Sequence, residues 1–165
     1  MIATILPKNV FCGNSLTIDR NFSGEPEQLL FICGILNSYV LDWLLRLKIQ
    51  RNLNMFLIYQ LPVPRLKVSD PSLRPLTDRA ARLICTTIGF DSLAKSVGLR
   101  DHRDGATDPT ERARLRAELD GLVAHLYGLS EAEFAHILTT FPLVPDPVKT
   151  AAQNAYRDVE RGLIK

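Results

Sequence analysis

The sequence predicts an α+β fold that is predominantly helical, with a small N-terminal sheet packed on a long buried helix, followed by a C-terminal helical bundle. Three observations predict this fold. Short β-rich runs flank a turn-forming Gly-Asn-Ser trio near the N-terminus. Residues 25–48 are apolar at helical spacing, and capped helical segments follow from residue 76 onward. We expect the sheet and central helix in residues 1–68 and a helical subdomain in 69–165, which together form one compact unit.

The predicted strands lie at the N-terminus and after the long helix. Ile2–Leu6 is rich in β-favouring residues and stops at a proline. Val10–Cys12 and Leu16–Ile18 flank Gly13-Asn14-Ser15, in which glycine and asparagine tolerate the positive φ of a tight turn. In Arg51–Leu61 the side chains alternate with a period of two until prolines follow. Each of these runs is predicted to be a strand.

The long helix is predicted to begin at Glu25 and to end near Lys48. Pro26 suits the first helical position, and the acids beside it suit the positive end of the helix dipole. Apolar side chains recur on almost every face, which is typical of a helix that is buried on all sides. We therefore expect this helix to be the central element of the core.

The C-terminal half carries the start and stop signals of several helices. Capping residues followed by proline or an acid mark the beginnings, and glycines or a Phe-Pro pair mark the ends. Residues 100–107 are charged and show no core residue by pattern, so a loop is expected there. The predicted helices run from Leu76 to Gly89, from Asp91 to Val97, from Asp108 to Gly128, from Ser130 to Phe141, and from Asp146 through Val159.

The composition is typical of a cytoplasmic protein. Of its 165 residues 23% are charged, and the net charge of +2 does not by itself indicate nucleic-acid binding. Cys12, Cys33 and Cys85 are odd in number and widely spaced, which favours free thiols in a reducing compartment. The N-terminus lacks the pattern of a signal peptide. The most apolar stretch, residues 29–47, is interrupted by Asn37, Ser38 and Asp42, so we expect no membrane span.

Patterns that carry chemistry are absent from the sequence. It has no glycine-rich phosphate loop, no Asn-Pro-Pro-aromatic tetrad that grips a flipped base, and no nuclease carboxylate pattern. The three histidines, His102, His125 and His136, are scattered and have no cysteine or carboxylate pattern near them. We therefore expect no catalytic and no metal-binding residues, and no enzyme activity of the chain on its own.

A basic, amide-rich stretch is the most suggestive local feature. Between Trp43 and Ser69 there are five basic residues and no acid. Lysine and arginine neutralise phosphates, and asparagine and glutamine reach phosphates or base edges. The alternative is a helix end with dipole-matched cations and a polar turn. A second cluster, formed by Arg112, Arg114 and Arg116, lies among the acids Glu111, Glu118 and Asp120 and is interpreted as a solvated helix face. The candidate DNA-binding residues are Arg46, Lys48, Gln50, Arg51, Asn52 and Asn54.

Three stretches, taken in order and with their spacing, resemble one family. That family is the adenine-N6 DNA methyltransferases of the type IIG restriction–modification class, with related phage-defence methylases, and the resemblance is to their C-terminal target-recognition region. It covers nearly the whole chain. The stretches are Gly13–Leu16; Leu36–Arg46 with Asn52–Phe56 and Gln60–Pro64; and Arg114–Leu129 with Ile137–Pro142.

The resemblance implies a division of labour. In such enzymes an upstream Rossmann-like domain binds S-adenosylmethionine and methylates a flipped adenine, often with a nuclease domain before it, and the C-terminal region helps to embrace the duplex. No residue of the family's catalytic motif has a counterpart in this chain, so no cofactor is expected here. The expected partners are double-stranded DNA and a methyltransferase catalytic domain or subunit. The alternative is a protein-interaction or structural module that packs against a partner domain without contacting DNA.

Overall fold

The computed structural model describes residues 2–7, 10, 12–13, 22–49 and 53–165, and 60% of these are helical. Two short 3-10 turns also occur, at Ile88–Phe90 and at His102–Asp104. The α-helices of this part of the chain are α1 (Pro26–Leu36), α2 (Tyr39–Arg46), α3 (Met55–Tyr59), α4 (Leu73–Ile84), α5 (Asp91–Ser96), α6 (Pro109–Leu126), α7 (Glu131–Thr139) and α8 (Asp146–Glu160).

The predicted N-terminal sheet is wrong, because no strand occurs among the described residues. Ile2–Leu6 has no regular structure, and its backbone is bonded by a side chain instead of a neighbouring strand. The amide group of Asn37 accepts from the Ala3 nitrogen at 3.0 Å and donates to the Ala3 carbonyl at 2.8 Å. Residues 10, 12 and 13 are likewise irregular, while residues 14–18, with most of the predicted turn and the strand Leu16–Ile18, lie outside the described part.

The strand predicted at Arg51–Leu61 is also wrong over residues 53–61, where the structure forms α3, while Arg51 and Asn52 lie outside the described residues. The Asn54 side chain accepts a hydrogen bond from the Leu57 nitrogen at 3.1 Å and so caps the helix. Leu53 and Leu57 pack against the core from this position. A side-chain cap and two core contacts therefore outweigh the period-two pattern over these few residues.

The long helix predicted to reach Lys48 is broken into α1 and α2. The Ser38 hydroxyl donates to the Ile35 carbonyl at 2.7 Å and accepts from the Leu41 nitrogen, which ends one helix and caps the next. The Asn37 side chain also donates to the Cys33 carbonyl at 2.8 Å. Five residues of α1 and three of α2 are buried, so both helices contribute to the core, but the prediction of one continuous helix buried on all sides is wrong.

The break at Ser38 also bears on membrane insertion. Within the described residues, no helix taken singly has both the length and the apolar character needed to cross a bilayer. The α1 and α2 helices meet that requirement only as a pair, and the pair is bent by 62°.

The core is formed where α6 packs on α8, α1 on α4, and α2 between α6 and α7. The backbones of α6 and α8 approach each other closely at Gly121 of α6. A Cβ built there would lie 2.8 Å from the Ala155 carbonyl carbon and the Tyr156 nitrogen of α8. Only a residue without a side chain fits that distance. The largest fully buried side chains are Phe134, Leu30, Ile35, Leu41, Leu45, Leu76 and Leu115.

The capped helices of the C-terminal half agree with the sequence pattern. Asp108 accepts from the Glu111 nitrogen at 2.8 Å, so it caps α6 as its position before Pro109 predicts. Ser130 and Glu133 form the reciprocal capping box of α7. Both caps join residues within four positions of each other, so they can be predicted from the sequence alone.

The charged loop predicted at residues 100–107 is an ordered turn that does contain a core residue. Ala106 is only 1% exposed, and its nitrogen donates to the Arg82 carbonyl at 2.7 Å. A Cβ built on Gly105 would lie 2.1 Å from the Cys85 carbonyl oxygen. Around this buried point the arginines pair with acids of the same turn, Arg100 with Asp104 and Arg103 with Asp101.

The three cysteines are free thiols, as predicted. Burial raises the pKa of Cys33 and of Cys85 to about 11, from 9.0, whereas Cys12 is half-buried. A rise of this size lowers the thiolate fraction about a hundredfold at neutral pH. With iodoacetamide at pH 8 we expect Cys12 to be alkylated well before the other two, as read by peptide mass spectrometry. In urea all three should react alike, and equal rates in the folded protein would contradict the prediction.

Candidate nucleic-acid interface

The predicted DNA-binding residues fall at the end of α2 and the start of α3. Arg46, Lys48 and Asn54 are described and exposed, whereas Gln50, Arg51 and Asn52 lie outside the described residues. The placement of the first three can therefore be compared with the prediction. For the other three the assignment stays a prediction from the sequence.

Arg46 is fixed by two contacts. Its Nη2 lies 3.0 Å from Asp42 Oδ2, one helical turn earlier, and its guanidinium carbon lies 4.5 Å from the centre of the Phe141 ring. The side chain nevertheless remains 56% exposed. A phosphate could approach the outer edge of this guanidinium, while Asp42 offsets part of its charge.

Lys48 and Asn54 connect the end of α2 to α3. The Lys48 Nζ donates to the Gln60 carbonyl at 3.4 Å, at the C-terminal end of α3, where a cation complements the helix dipole. The oxygen of Asn54 is used as the cap of α3. The Asn54 side chain can therefore offer mainly its amide hydrogens to a ligand, which narrows its predicted role to that of a donor.

Arg65 and Lys67 continue the basic stretch along the connector after α3, and both are exposed. The connector is held by the buried Leu61 and by the Tyr127 hydroxyl, which donates to the Pro62 carbonyl at 2.9 Å. Among the residues that the structure describes, no acid forms an ion pair with Lys48, Arg65 or Lys67. Their charge is therefore available to solvent.

The arginines of the second basic cluster differ in their contacts: some are bonded within the protein and one faces solvent. Arg112 donates to the carbonyls of Leu83 and Ala106 at 2.9 and 2.7 Å, so it holds the 100–107 turn onto α4. Arg114 pairs with Glu118. Arg116 is exposed, but a solvated face for the whole cluster is wrong, because Arg112 is bonded inside the fold and Glu118 and Asp120 are buried.

Arg116 also lies near an aromatic pair that the sequence did not reveal. Burial and the Asp120 carboxylate raise the pKa of Tyr39, and the Arg116 charge opposes them. The Tyr39 ring meets Phe141 edge to face, with centroids 4.9 Å apart, and Phe141 lies under Arg46. Arg46 thus lies over one ring of this pair. Tyr39 and Phe141 are about a hundred residues apart in the chain, so no local pattern could have shown their contact.

Two carboxylates of α6 lie buried beneath this surface. Glu118 Oε2 accepts from Arg79 Nε at 2.7 Å and its other oxygen pairs with Arg114, so its charge is compensated. Asp120 Oδ1 accepts from the Tyr39 nitrogen at 2.9 Å, at the N-terminus of α2. Burial raises the pKa of Asp120 to about 7 despite that hydrogen bond.

Two of the three histidines make structural contacts. His102 Nδ1 lies 2.7 Å from Asp91 Oδ1, and His125 stacks on Tyr156 at 4.1 Å while its Nε2 lies 2.9 Å from the Tyr156 carbonyl oxygen. His136 is exposed on α7. In the described ranges no group of three or more His, Cys, Asp or Glu side chains is placed to hold a metal ion.

The candidate interface thus consists of exposed cations at the end of α2 and in the connector after α3. Comparisons of the chain with protein-family models, with curated proteins and with solved structures find no match. The family resemblance of the three sequence stretches therefore stays a prediction. The structure adds the placement of the individual cations along this surface.

Proposed function

We propose that this chain contacts DNA as the target-recognition part of a type IIG-like restriction–modification adenine methyltransferase. In this proposal it has no activity of its own and works with a methyltransferase catalytic domain or subunit that binds S-adenosylmethionine. The family assignment rests on the sequence resemblance. The DNA contact rests on one observation: residues 43–69 contain no acid, and their described cations, Arg46, Lys48, Arg65 and Lys67, are all exposed.

The charge of this segment suits phosphates because little of it is used inside the protein. Elsewhere in the chain many arginines are engaged by carboxylates or carbonyls, as Arg79, Arg82 and Arg112 are. Cations without a carboxylate partner release DNA counterions when they meet phosphates, and that release gives binding its dependence on salt. A net charge of +2 can therefore coexist with a locally basic surface.

The test is a salt titration of duplex binding by a triple variant, Lys48→Gln, Arg65→Gln and Lys67→Gln. Each lost phosphate contact lowers the slope of log K against log salt by about 0.9. We expect the slope to fall by about 2 to 3 and the affinity at low salt to fall with it. Arg46 is left unchanged because its contact with Phe141 also holds α2 near the end of α7.

A second triple variant serves as the control. Arg74→Gln, Lys95→Gln and Arg161→Gln remove the same charge from exposed positions outside the basic segment. This variant should keep the slope of the unaltered protein. Equal slopes for both variants would show that only net charge matters, and an unchanged slope in the first would exclude these cations from the interface.

The alternative of a protein-interaction module is favoured by a different observation. Several large apolar side chains are exposed, of which Leu143, in the turn between α7 and α8, is 96% exposed. Exposed apolar surface of this kind is typical of contacts with other proteins. Under this alternative the chain would not shift a non-specific duplex on a gel at low salt, and it would self-associate as its concentration rises.

A further inference from the structure

The short helix α3 holds two aromatic rings out in solvent. Phe56 is 69% and Tyr59 is 72% exposed, although Leu53, just before the Asn54 cap, and Leu57, within the helix, pack against the core. Residues three apart lie on the same side of a helix, so the two rings share one face. The Asn54 cap and the leucine contacts fix the helix that carries them. These rings are therefore exposed on an anchored element.

The chemistry around the rings is cationic. Lys48 places its ammonium group 3.4 Å from the Gln60 carbonyl, next to Tyr59 in the chain, and the acid-free segment extends on both sides of α3. A polyanion that carries flat apolar rings complements both features. An apolar protein surface would complement the rings alone.

We propose that Phe56 and Tyr59 form a stacking platform for nucleobases that are unpaired or turned out of a duplex. This inference rests on the proposed DNA contact and deepens it, because it adds single-stranded or locally opened DNA to the ligands of the same surface. Aromatic side chains in a basic setting stack on successive bases without reading their sequence. The cations would hold the phosphates on either side of a stacked base.

The experiment compares two single strands of equal length, an oligodeoxyadenylate and an oligonucleotide whose sugars carry no bases. The two present the same phosphates, so the cations alone cannot distinguish them. We expect the unaltered protein to bind the base-bearing strand at least tenfold more tightly, since each stacked base contributes about five- to a hundredfold. Phe56→Ala with Tyr59→Ala should abolish that preference and leave the salt slope unchanged.

Two controls keep the result interpretable. Phe56→Tyr with Tyr59→Phe exchanges the rings and should retain the preference, and Ile88→Ala with Leu143→Ala removes exposed apolar side chains elsewhere and should retain it too. Equal binding of the two strands by the unaltered protein, or a preference that survives the double alanine variant, would overturn the proposal. If the unaltered protein binds neither strand and the Phe56→Ala, Tyr59→Ala variant no longer self-associates, the proposal is overturned in favour of a protein partner. If duplex binding keeps its salt slope while the strands bind equally, this inference fails and the proposed function stands.

Discussion

Replacing Gly121 with alanine is expected to lower the free energy of unfolding by about 3 kcal/mol. The added methyl group would lie 2.8 Å from the backbone of α8 at Ala155 and Tyr156, a distance that carbon atoms do not tolerate. The neighbours are main-chain atoms of a second helix and cannot rotate away, so α6 and α8 must separate. That contact is central to the C-terminal core. Urea denaturation followed by circular dichroism measures the effect.

The matched control is alanine at Gly34, which also lies inside a helix. A Cβ there would meet the Ala80 methyl at 3.5 Å and a Leu119 methyl at 3.6 Å, which are ordinary contacts. Alanine is favoured over glycine inside a helix by up to about 1 kcal/mol, so this variant should be as stable as the unaltered protein or more stable. If both variants unfold at the same urea concentration, the close approach of α6 and α8 is wrong.

The second large effect is a loss of stability as the pH rises from about 4 to about 7, caused by Asp120. Burial raises the pKa of this carboxyl to about 7 in the folded protein, from 3.8, so the folded state holds a proton that the unfolded state releases. The stabilisation is complete below the unfolded pKa and is lost as the pH passes through the folded pKa. About 1.4 kcal/mol per pKa unit gives a loss on the order of 4 kcal/mol.

Asp120→Asn isolates this effect. The amide oxygen can still accept from the Tyr39 nitrogen, but the group no longer titrates. The stability difference between the variant and the unaltered protein should therefore grow in favour of asparagine between pH 4 and pH 8. Asp158→Asn, at a partly exposed position near Arg161, should leave the shape of the pH profile unchanged. A difference that is constant with pH would contradict the assignment to Asp120.

The parts of the fold that the sequence predicts well are those set by neighbours in the chain. Asp108 and Ser130 cap α6 and α7 through hydrogen bonds to residues three positions later. The α8 helix begins at an Asp-Pro pair, which also predicts a helix start. The predicted sheet was wrong because strand pairing depends on distant partners, which the local pattern does not reveal. Asn37 bonds the backbone of Ala3 across 34 residues, and Asp120 bonds the first nitrogen of α2 across 81. The periodicity of apolar residues predicts neither of these two hydrogen bonds.

In the candidate site, too, local features were predictable from the sequence and contacts between distant residues were not. An acid-free run of cations is visible in the sequence, and the exposure of Lys48, Arg65 and Lys67 agrees with it. The placement of Arg46 over Phe141 was not visible, since the two residues are far apart in the chain. The outward rings of α3 were also missed, because the alternation in this region favoured a strand, in which successive side chains would point to opposite faces.

The turn at residues 100–107 looks in the sequence like a permissive place to insert a tag or to open the chain. Polar surface turns usually accept such changes. Here the Ala106 nitrogen donates a hydrogen bond to the Arg82 carbonyl, and Gly105 packs closely against the Cys85 backbone. The turn is therefore anchored to the end of α4 just before α6 begins. Engineers who graft onto this protein should find Leu143 tolerant and Gly105 intolerant. Local polarity alone would rank the two positions the other way.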